Sequence, residues 1–498
     1  MSAIITEKFR QHNATQFFES FSEAAASVYY LFIGKATAFT TGTTGGSDTT
    51  PPIPADDISG EFYRWDSMLA AKKIGTGDVI FALPRRNWAN STVFDMYKDD
   101  ISSGSPATSG ATNLFDSTFY FLTTSFRVYK VIDNNSGVAY SGSEPTSEST
   151  SPFELGGYVL KYMYKITASQ ATKFLTTDYI PVVTDTTVSG SATDGEIASL
   201  SITAGSGYTD GIYYAAVYGD GTSAGTASGA IISIKVTGGA IQSFGLTSST
   251  DTSINTAGIN YTFGKVNIGA GFTFSDAALT STSSIGSGSG GVVSVIISPK
   301  NGHGFDAVTE LGGHYVMTNT TLTQAENDDV TTSNDFREVG IVVDPTNYGT
   351  TTVASSDTAR MTYIVKLSSS SGTFDVDETI TQATTGAVGK VVEFDSVRSL
   401  IYYQQEKFGS YGTNATTGAF AAFSTTATIT GGTSGATGTP SNTTETITLQ
   451  NSNTVSLTTG YANAELQPDS GNIVYIENRK PIQRASDQTE DIKIIIEF

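Results

Sequence analysis

The alternation of apolar and polar residues along the chain predicts many strands and few helices. Short runs rich in β-branched and aromatic residues and closed by Gly or Pro are typical of buried strands. The clearest are "SVYYLFIG", "DVIFALP", "STFYFLTTSFRVYKVID" and "GGYVLKYMYKI", and the chain also ends on such a run, Ile492–Phe498. Helical spacing is predicted in two places: after a cap at Asn13, over "ATQFFESFSEAAA", and across "ISGEFYRWDSMLAAKKIG".

Composition favours the same class of fold. The 498 residues include 51 glycines and only 15% charged residues, which favours short strands joined by tight turns. Residues 1–180 hold 14 of the 27 basic residues, whereas residues 181–475 hold nine and are dominated by Gly, Ser, Thr and Ala. A chain of this length exceeds a single core. We therefore predict a mainly β, multidomain protein, with a β-sandwich or barrel-like core, a few short helices and inserted Gly/Ser/Thr-rich β-modules.

The middle of the chain contains weak internal repeats. "ITQATTGAVG" (Ile380–Gly389) resembles "ITGGTSGATG" (Ile429–Gly438) at the same spacing, and "SGAIISIKV" resembles "SGGVVSVII". These repeats predict duplicated β-modules in which the glycines supply turns.

Charge and cysteine content exclude several classes of function. The formal net charge is −21, so a duplex-binding surface is not expected and no nucleic-acid partner is predicted. There is no cysteine, which excludes disulfides and thiolate metal sites. No run approaches the roughly 18 apolar residues that span a bilayer, and Glu7, Lys8 and Arg10 stand where a signal peptide would be apolar. We expect synthesis in the cytosol and no membrane partner.

The motifs that could carry catalysis fit turns better than active sites. "GSGSGG" at Gly286–Gly291 satisfies a dinucleotide pattern but is followed by a strand instead of a helix. "GTSAG" places Ser223 where a nucleophile could stand, again without a following helix. Paired acids such as Asp375–Glu378 are typical of solvated loops, with a structural cation as a minor alternative. The sequence therefore predicts no enzyme, no cofactor and no metal site.

Two polar constellations stand out as interface or core-anchor candidates. "LPRRNW" places two arginines beside a tryptophan at a strand end, and these residue types dominate interface hot spots. A dense polar knot between the strand-like runs Ile473–Glu477 and Ile492–Phe498 could tie the last strand down within the chain or meet another subunit. Both interpretations stay open. The candidates are Arg85, Arg86, Trp88, Glu477, Asn478, Arg479, Arg484, Asp487 and Gln488.

These stretches also carry a family resemblance. "ITEKFR", "FALPRRNW", "GGYVLKYMYKI", "TTDYIPVV" and "IVYIENRKPIQRASDQTEDIKIIIEF" occur in this order, and together they resemble the baseplate wedge protein of T-even-like contractile-tailed bacteriophages, the gene product eight type. The resemblance covers about Ile4–Asp185, a piece around Gly302–Tyr348, and Leu466–Phe498. It implies a structural virion protein of the tail baseplate without enzymatic activity. It also implies a mostly β homodimer that contacts other wedge subunits, with tail-fibre or fibre-connector proteins as further candidates.

The resemblance also implies a division of the chain into five segments. Residues 1–190 would form an N-terminal core domain, 191–300 an inserted β-module region, 301–350 a return to the core, and 351–465 a second inserted region. Residues 466–498 would supply a C-terminal strand that closes the core.

A second class of function remains open. Gly/Ser/Thr-rich β-modules also occur in phage receptor-binding or carbohydrate-binding tail proteins. Such a protein would present exposed aromatic platforms, for which Tyr208, Tyr213, Tyr214 and Tyr261 are the candidates. A glycosidase is a third alternative and would need two acids in one cleft.

Overall fold

The chain forms two compact units of mainly β structure. Unit 1 comprises Met1–Gln16, Ile80–Met317 and Ile495–Phe498, and unit 2 comprises Phe17–Val79 and Thr318–Ile494. The computed structural model describes residues 5–39, 46–224, 229–268, 285–323, 326, 329–331, 334–407, 411–414, 416–483 and 488–498. The predicted mainly β, multidomain class is confirmed. The finer division into five segments stays a prediction.

The described residues contain five α-helices: α1 (Glu7–Glu19), α2 (Ile58–Ser67), α3 (Ala168–Phe174), α4 (Thr186–Gly190) and α5 (Ala307–Leu311). The predicted start of the first helix was wrong, because Asn13 lies inside α1. The hydroxyl of Thr6 accepts a hydrogen bond from the Phe9 N–H at 3.3 Å and so caps this helix.

The second predicted helix was too long. Asp57 caps α2 by accepting a hydrogen bond from the Gly60 N–H, and α2 ends at Ser67. The next residues, Met68–Lys73, form a strand with strand neighbours on both sides. The apolar side chains of this strand are buried, and Met68 and Ala71 pack in the hydrophobic core of unit 2.

Strands are numbered along the chain as β1 (Tyr29–Gly34), β2 (Met68–Lys73), β3 (Val79–Pro84), β4 (Tyr120–Leu122), β5 (Arg127–Asp133), β6 (Phe153–Leu155), β7 (Tyr158–Lys165), β8 (Tyr179–Pro181), β9 (Ile197–Thr203), β10 (Gly211–Gly219), β11 (Ile231–Thr237), β12 (Ala240–Ile241), β13 (Ser253–Thr256), β14 (Gly264–Val266), β15 (Val292–Ile297), β16 (Tyr315–Leu322), β17 (Phe336–Val343), β18 (Thr358–Arg360), β19 (Tyr363–Ser371), β20 (Thr379–Gln382), β21 (Ala387–Asp395), β22 (Leu400–Gln404), β23 (Ile429–Gly431), β24 (Thr437–Pro440), β25 (Glu445–Thr448), β26 (Thr454–Leu457), β27 (Tyr461–Ala462), β28 (Asn472–Ile482) and β29 (Glu490–Glu497).

Unit 1 is built around aromatic strands. The predicted long run "STFYFLTTSFRVYKVID" forms β4 and β5, joined by a tight turn in which the Thr123 N–H donates to the Arg127 carbonyl at 2.9 Å. β4, β5, β7 and β6 form one sheet in that order, and Tyr120, Tyr129 and Tyr164 are fully buried on it. A second sheet has the order β12-β11-β10-β14, with β13 pairing β11, and β9 pairs β15. The two "SG"-led repeats therefore supply strands of different sheets.

Unit 2 contains a five-stranded sheet and a closed ring. The sheet has the order β18-β2-β1-β17-β28, with every pair antiparallel. In the ring, six strands pair in the order β22-β21-β20-β23-β24-β19, and β19 pairs back to β22. The two predicted repeat hairpins, β20–β21 and β23–β24, lie side by side here because β20 pairs β23.

The last strand, β29, forms an edge of the sheet β29-β16-β3-β8. Within unit 1, the Phe498 N–H donates to the His314 carbonyl at 3.1 Å. Arg10 of α1 donates through Nε to the Phe498 carbonyl at 2.5 Å and also contacts the Glu497 carboxylate. α1 and the end of the chain are thus tied together within unit 1.

Candidate assembly surface

The "LPRRNW" side chains are bound within unit 1. Arg85 donates to the Thr176 carbonyl at 2.7 Å and to the Asn87 side chain at 2.8 Å. Arg86 donates to the Phe115 carbonyl at 2.7 Å, and its guanidinium lies 4.4 Å from the centre of the Tyr120 ring. Cation–π and carbonyl contacts of this kind orient both side chains along the end of β3.

Trp88 packs on the aromatic core of the same unit. Its ring meets Tyr140 edge-to-face at 5.8 Å, and the backbone N–H of Trp88 donates to the Leu122 carbonyl at 2.8 Å. These contacts hold the half-buried tryptophan against the aromatic core of unit 1.

The C-terminal candidates lie mostly on a strand. The polar knot was expected to begin at Glu477, but β28 continues through Lys480 to Ile482, because β17 pairs with it up to the Phe336–Ile482 register. Glu477, Asn478 and Arg479 therefore alternate along the strand instead of forming a turn. Two further candidates, Arg484 and Asp487, lie outside the described residues, and Gln488 is exposed just before β29.

β28 is an open edge of its sheet. Only β17 pairs with it in the described structure, and none of its eleven residues is buried. The Asn478 side chain donates to the Pro52 carbonyl at 3.0 Å, while its Oδ1 has no hydrogen-bond partner among the described residues. Arg479 and Glu477 are 45% and 39% exposed and lie 3.7 Å apart. A long strand with a free edge can accept another strand.

An exposed apolar face lies next to this edge. Ile53, in the proline-rich loop that Asn478 contacts, is 92% exposed, and Ile58 of α2 is 78% exposed. Phe62 follows Ile58 by four residues, so both occupy one side of α2. Exposed apolar groups clustered beside a strand edge mark a surface for protein binding. The exposure of this face was not predicted from the sequence, because the spacing of Ile58 and Phe62 is also typical of a helix that packs on a core.

Beneath this surface lies a buried ion pair that makes stability depend on pH. Arg64 Nε lies 3.6 Å from Glu338 Oε2, and Glu338 pairs with Asn478 in the β17–β28 ladder. Burial raises the pKa of Glu338 to about 7 from its ordinary value of 4.5, although Arg64 acts in the opposite direction. The pKa of Glu338 is higher in the folded protein than in the unfolded chain. Protonated Glu338 therefore makes its full contribution to the free energy of unfolding below pH 4.5, and this contribution is lost as the pH rises through 7.

Replacing Glu338 by glutamine is therefore expected to change the pH dependence of stability. Relative to the unmodified protein, the variant should gain about 2 kcal/mol in free energy of unfolding between pH 5 and pH 8. Urea denaturation at the two pH values measures this difference, with Glu445→Gln as a control at a half-exposed carboxylate. An equal effect of Glu338→Gln at both pH values would contradict the prediction.

The candidates for other chemistries occupy structural positions. The Tyr261 hydroxyl accepts a hydrogen bond from the Ala230 N–H at 3.1 Å and Tyr208 accepts one from Gly291 at 2.9 Å; both rings are buried. Tyr213 and Tyr214 are half-buried. Ser223 lies in a turn with φ 55°, as predicted. The "GSGSGG" stretch contains two residues of positive φ and leads directly into β15.

The described residues contain no group of three or more His, Asp or Glu side chains placed to hold a metal ion. Within the same part of the chain, no helix is long and apolar enough to cross a membrane.

The open strand edge and the apolar face beside it are features of a surface that binds other proteins. A family model described as "Bacteriophage T4, Gp8" matches residues 3–138 and 440–498, which include α2, the proline-rich loop and β28. The two segments make up 195 of the 498 residues, and over them the chain is similar to the Gp8 family of phage baseplate proteins. Residues 139–439 lie outside the match. A search of curated proteins found no match.

Proposed function

We propose that the protein is a baseplate wedge subunit that acts as a homodimer, by protein–protein binding and without catalysis. The observation that carries the proposal is the open edge of β28 beside the exposed apolar face, both within the segments that match the family. An edge with free backbone N–H and C=O groups gives directional binding, and the apolar face adds burial of non-polar area.

The charges of β28 suit a second copy of the same strand. An antiparallel pairing centred on Asn478 sets Glu477 opposite Arg479 of the second copy, and the two-fold symmetry repeats this contact. The same register sets Val474, which is 52% exposed, opposite Ile482 of the second copy. Opposite charges and apolar side chains placed across from each other stabilise paired strands.

The remaining wedge contacts involve other baseplate proteins, and tail-fibre or fibre-connector proteins are the further candidates. The side chains of "LPRRNW" that stay half-exposed in unit 1, Arg85 and Arg86, are candidates for these contacts.

Charge exchange along β28 tests the homodimer. Light scattering of the full chain should give the mass of a dimer, and Arg479→Glu should weaken dimerisation about tenfold, because each glutamate would then face another glutamate. The double variant Glu477→Arg/Arg479→Glu should restore it, since the opposite pairing returns. Lys165→Glu changes an exposed charge in unit 1 and serves as the control.

The outcomes separate two failures. A monomeric unmodified protein would contradict the homodimer itself. A dimer unaffected by Arg479→Glu would contradict the β28 surface while leaving dimerisation in place.

A further inference from the structure

A lysine, a glutamate and a histidine meet in the interior of unit 1, where no part of the proposed function uses them. Lys130 of β5 is fully buried, and His303 and Glu310 are 1% and 5% exposed. The Lys130 Nζ lies 2.9 Å from Glu310 Oε2 and 2.9 Å from His303 Nδ1. Lys130 and Glu310 are 180 residues apart in the chain, so only the fold brings them together.

Burial opposes the positive charge of the Lys130 amine, whereas the Tyr97 ring and the Glu310 carboxylate stabilise it. The Tyr97 ring centre lies 4.1 Å from the Lys130 Nζ and 5.0 Å from the centre of the His303 ring, edge-to-face. Burial lowers the pKa of Lys130, while Glu310 acts in the opposite direction. Burial, with the lysine charges nearby, also holds the pKa of His303 well below its usual range. A desolvated lysine beside a neutral imidazole is the arrangement that activates an amine as a nucleophile.

The carboxyl group of Glu310 is held in a matching way. Its Oε1 accepts hydrogen bonds from the backbone N–H of Gly304 at 2.7 Å and of Asp306 at 3.3 Å. Two backbone donors on one oxygen stabilise the negative charge that develops there when a nucleophile adds to the carbonyl carbon. The other oxygen, Oε2, faces the lysine and is free of backbone donors in the described structure, so it is positioned to leave.

We propose that Lys130 and Glu310 react with each other to form an intramolecular amide bond, with the loss of one water molecule. An ammonium proton first passes from Nζ to Oε2, which leaves a neutral amine and a carboxylic acid. The Nζ lone pair then attacks Cδ, and the negative charge moves to Oε1 between the two N–H donors. His303 Nδ1 takes the second proton from Nζ and delivers it to Oε2. The Cδ–Oε2 bond breaks, water departs, and the imidazole returns to its neutral form.

The proximity of Lys130 to Glu310 makes the largest contribution to the rate of amide formation. The amine and the carboxyl group are held in contact by the fold, which replaces a bimolecular encounter between an amine and an acid that hardly react in water. The product joins β5 to α5 covalently across the interior of unit 1. Such a bond would keep these two elements together under mechanical force, which suits a protein of a contractile tail.

The test is carried out on the unmodified full chain after denaturation. Mass spectrometry of its tryptic peptides should find a branched peptide in which the Lys130 segment is attached to the Glu310 segment, lighter by one water than the two parts. Trypsin should not cleave after Lys130. Two separate peptides of unaltered mass, with cleavage after Lys130, would show an ion pair only and overturn the proposal. This result does not depend on whether any variant folds.

Variants assign the roles of the three groups. Lys130→Arg and Glu310→Ala should each abolish the branched peptide, whereas Lys161→Arg, at a neighbouring buried lysine, should retain it. His303→Phe keeps an aromatic ring beside Tyr97 but removes the base, and should slow formation of the bond in freshly synthesised protein. Unchanged rates in a folded His303→Phe protein would remove the histidine from the mechanism.

Discussion

Replacing Arg360 by methionine is expected to lower the free energy of unfolding of unit 2 by about 3 to 5 kcal/mol. Arg360 is 1% exposed, and its guanidinium donates to the Thr362 carbonyl and, at 2.9 Å, to the Asn463 carbonyl. Its backbone N–H donates to Glu465 Oε2 at 2.9 Å. Burial raises the pKa of Glu465, and the positive charge of Arg360 opposes this shift. Methionine would therefore leave the Thr362 and Asn463 carbonyls and the partly buried Glu465 carboxylate without their cation.

Urea denaturation followed by circular dichroism measures this loss. Arg360→Lys should recover only part of it, because an ammonium cannot reproduce the forked geometry of the guanidinium. Arg398→Met is the matched control, since the Arg398 side chain is 31% exposed and pairs with Asp395 near solvent. A loss at Arg360 no larger than at Arg398 would contradict the prediction.

Gly340→Ala is expected to destabilise unit 2 by about 3 kcal/mol and to loosen β28 at the same time. Gly340 lies on β17, between β1 and β28. A Cβ there would come within 2.4 Å of the Phe32 ring and 2.5 Å of the Tyr475 carbonyl oxygen. The Phe32 ring is fully buried, and the oxygen belongs to the backbone of β28. The added Cβ can therefore be accommodated only if β28 moves away from β17.

Gly77→Ala is the control, because a Cβ at Gly77 would meet no atom within 4 Å. The free energy of unfolding gives the first readout. Hydrogen exchange of the β28 amides gives the second, and it should be faster in Gly340→Ala than in the control. Protection of β28 equal to that of the unmodified protein would contradict a steric contact at this point.

Local patterning predicted the strands that carry aromatic residues. β1, β3 and β7 form at the predicted runs of apolar residues. Short apolar runs rich in β-branched and aromatic residues favour buried strands without information from distant parts of the chain. The prediction of a helix over Met68–Lys73 was wrong because pairing with distant strands decides the structure of these residues. These residues have an acceptable helical pattern, but the strands on both sides, β1 and β18, come from distant parts of the chain.

The candidate surface shows the same limit. Glu477, Asn478 and Arg479 were predicted to belong to a polar knot between two strands, whereas they lie on the edge strand β28, because an edge strand also carries polar residues. The exposed face of α2 could not be separated from a core face by spacing alone. For Lys130, a lysine inside the apolar run "RVYKVID" was the only signal, and nothing in the sequence pointed to a glutamate 180 residues away.

The closed ring of unit 2 protects the protein against aggregation through strand edges. Its longer strands, β19, β21 and β22, are rich in β-branched and aromatic residues, and such strands can stack into fibrils when their edges are left free. Pairing β19 with β22 gives each of the six strands a neighbour on either side. Among the described residues, none of these six strands is therefore an edge strand of the ring, which leaves a second molecule fewer free backbone groups on which to add a strand.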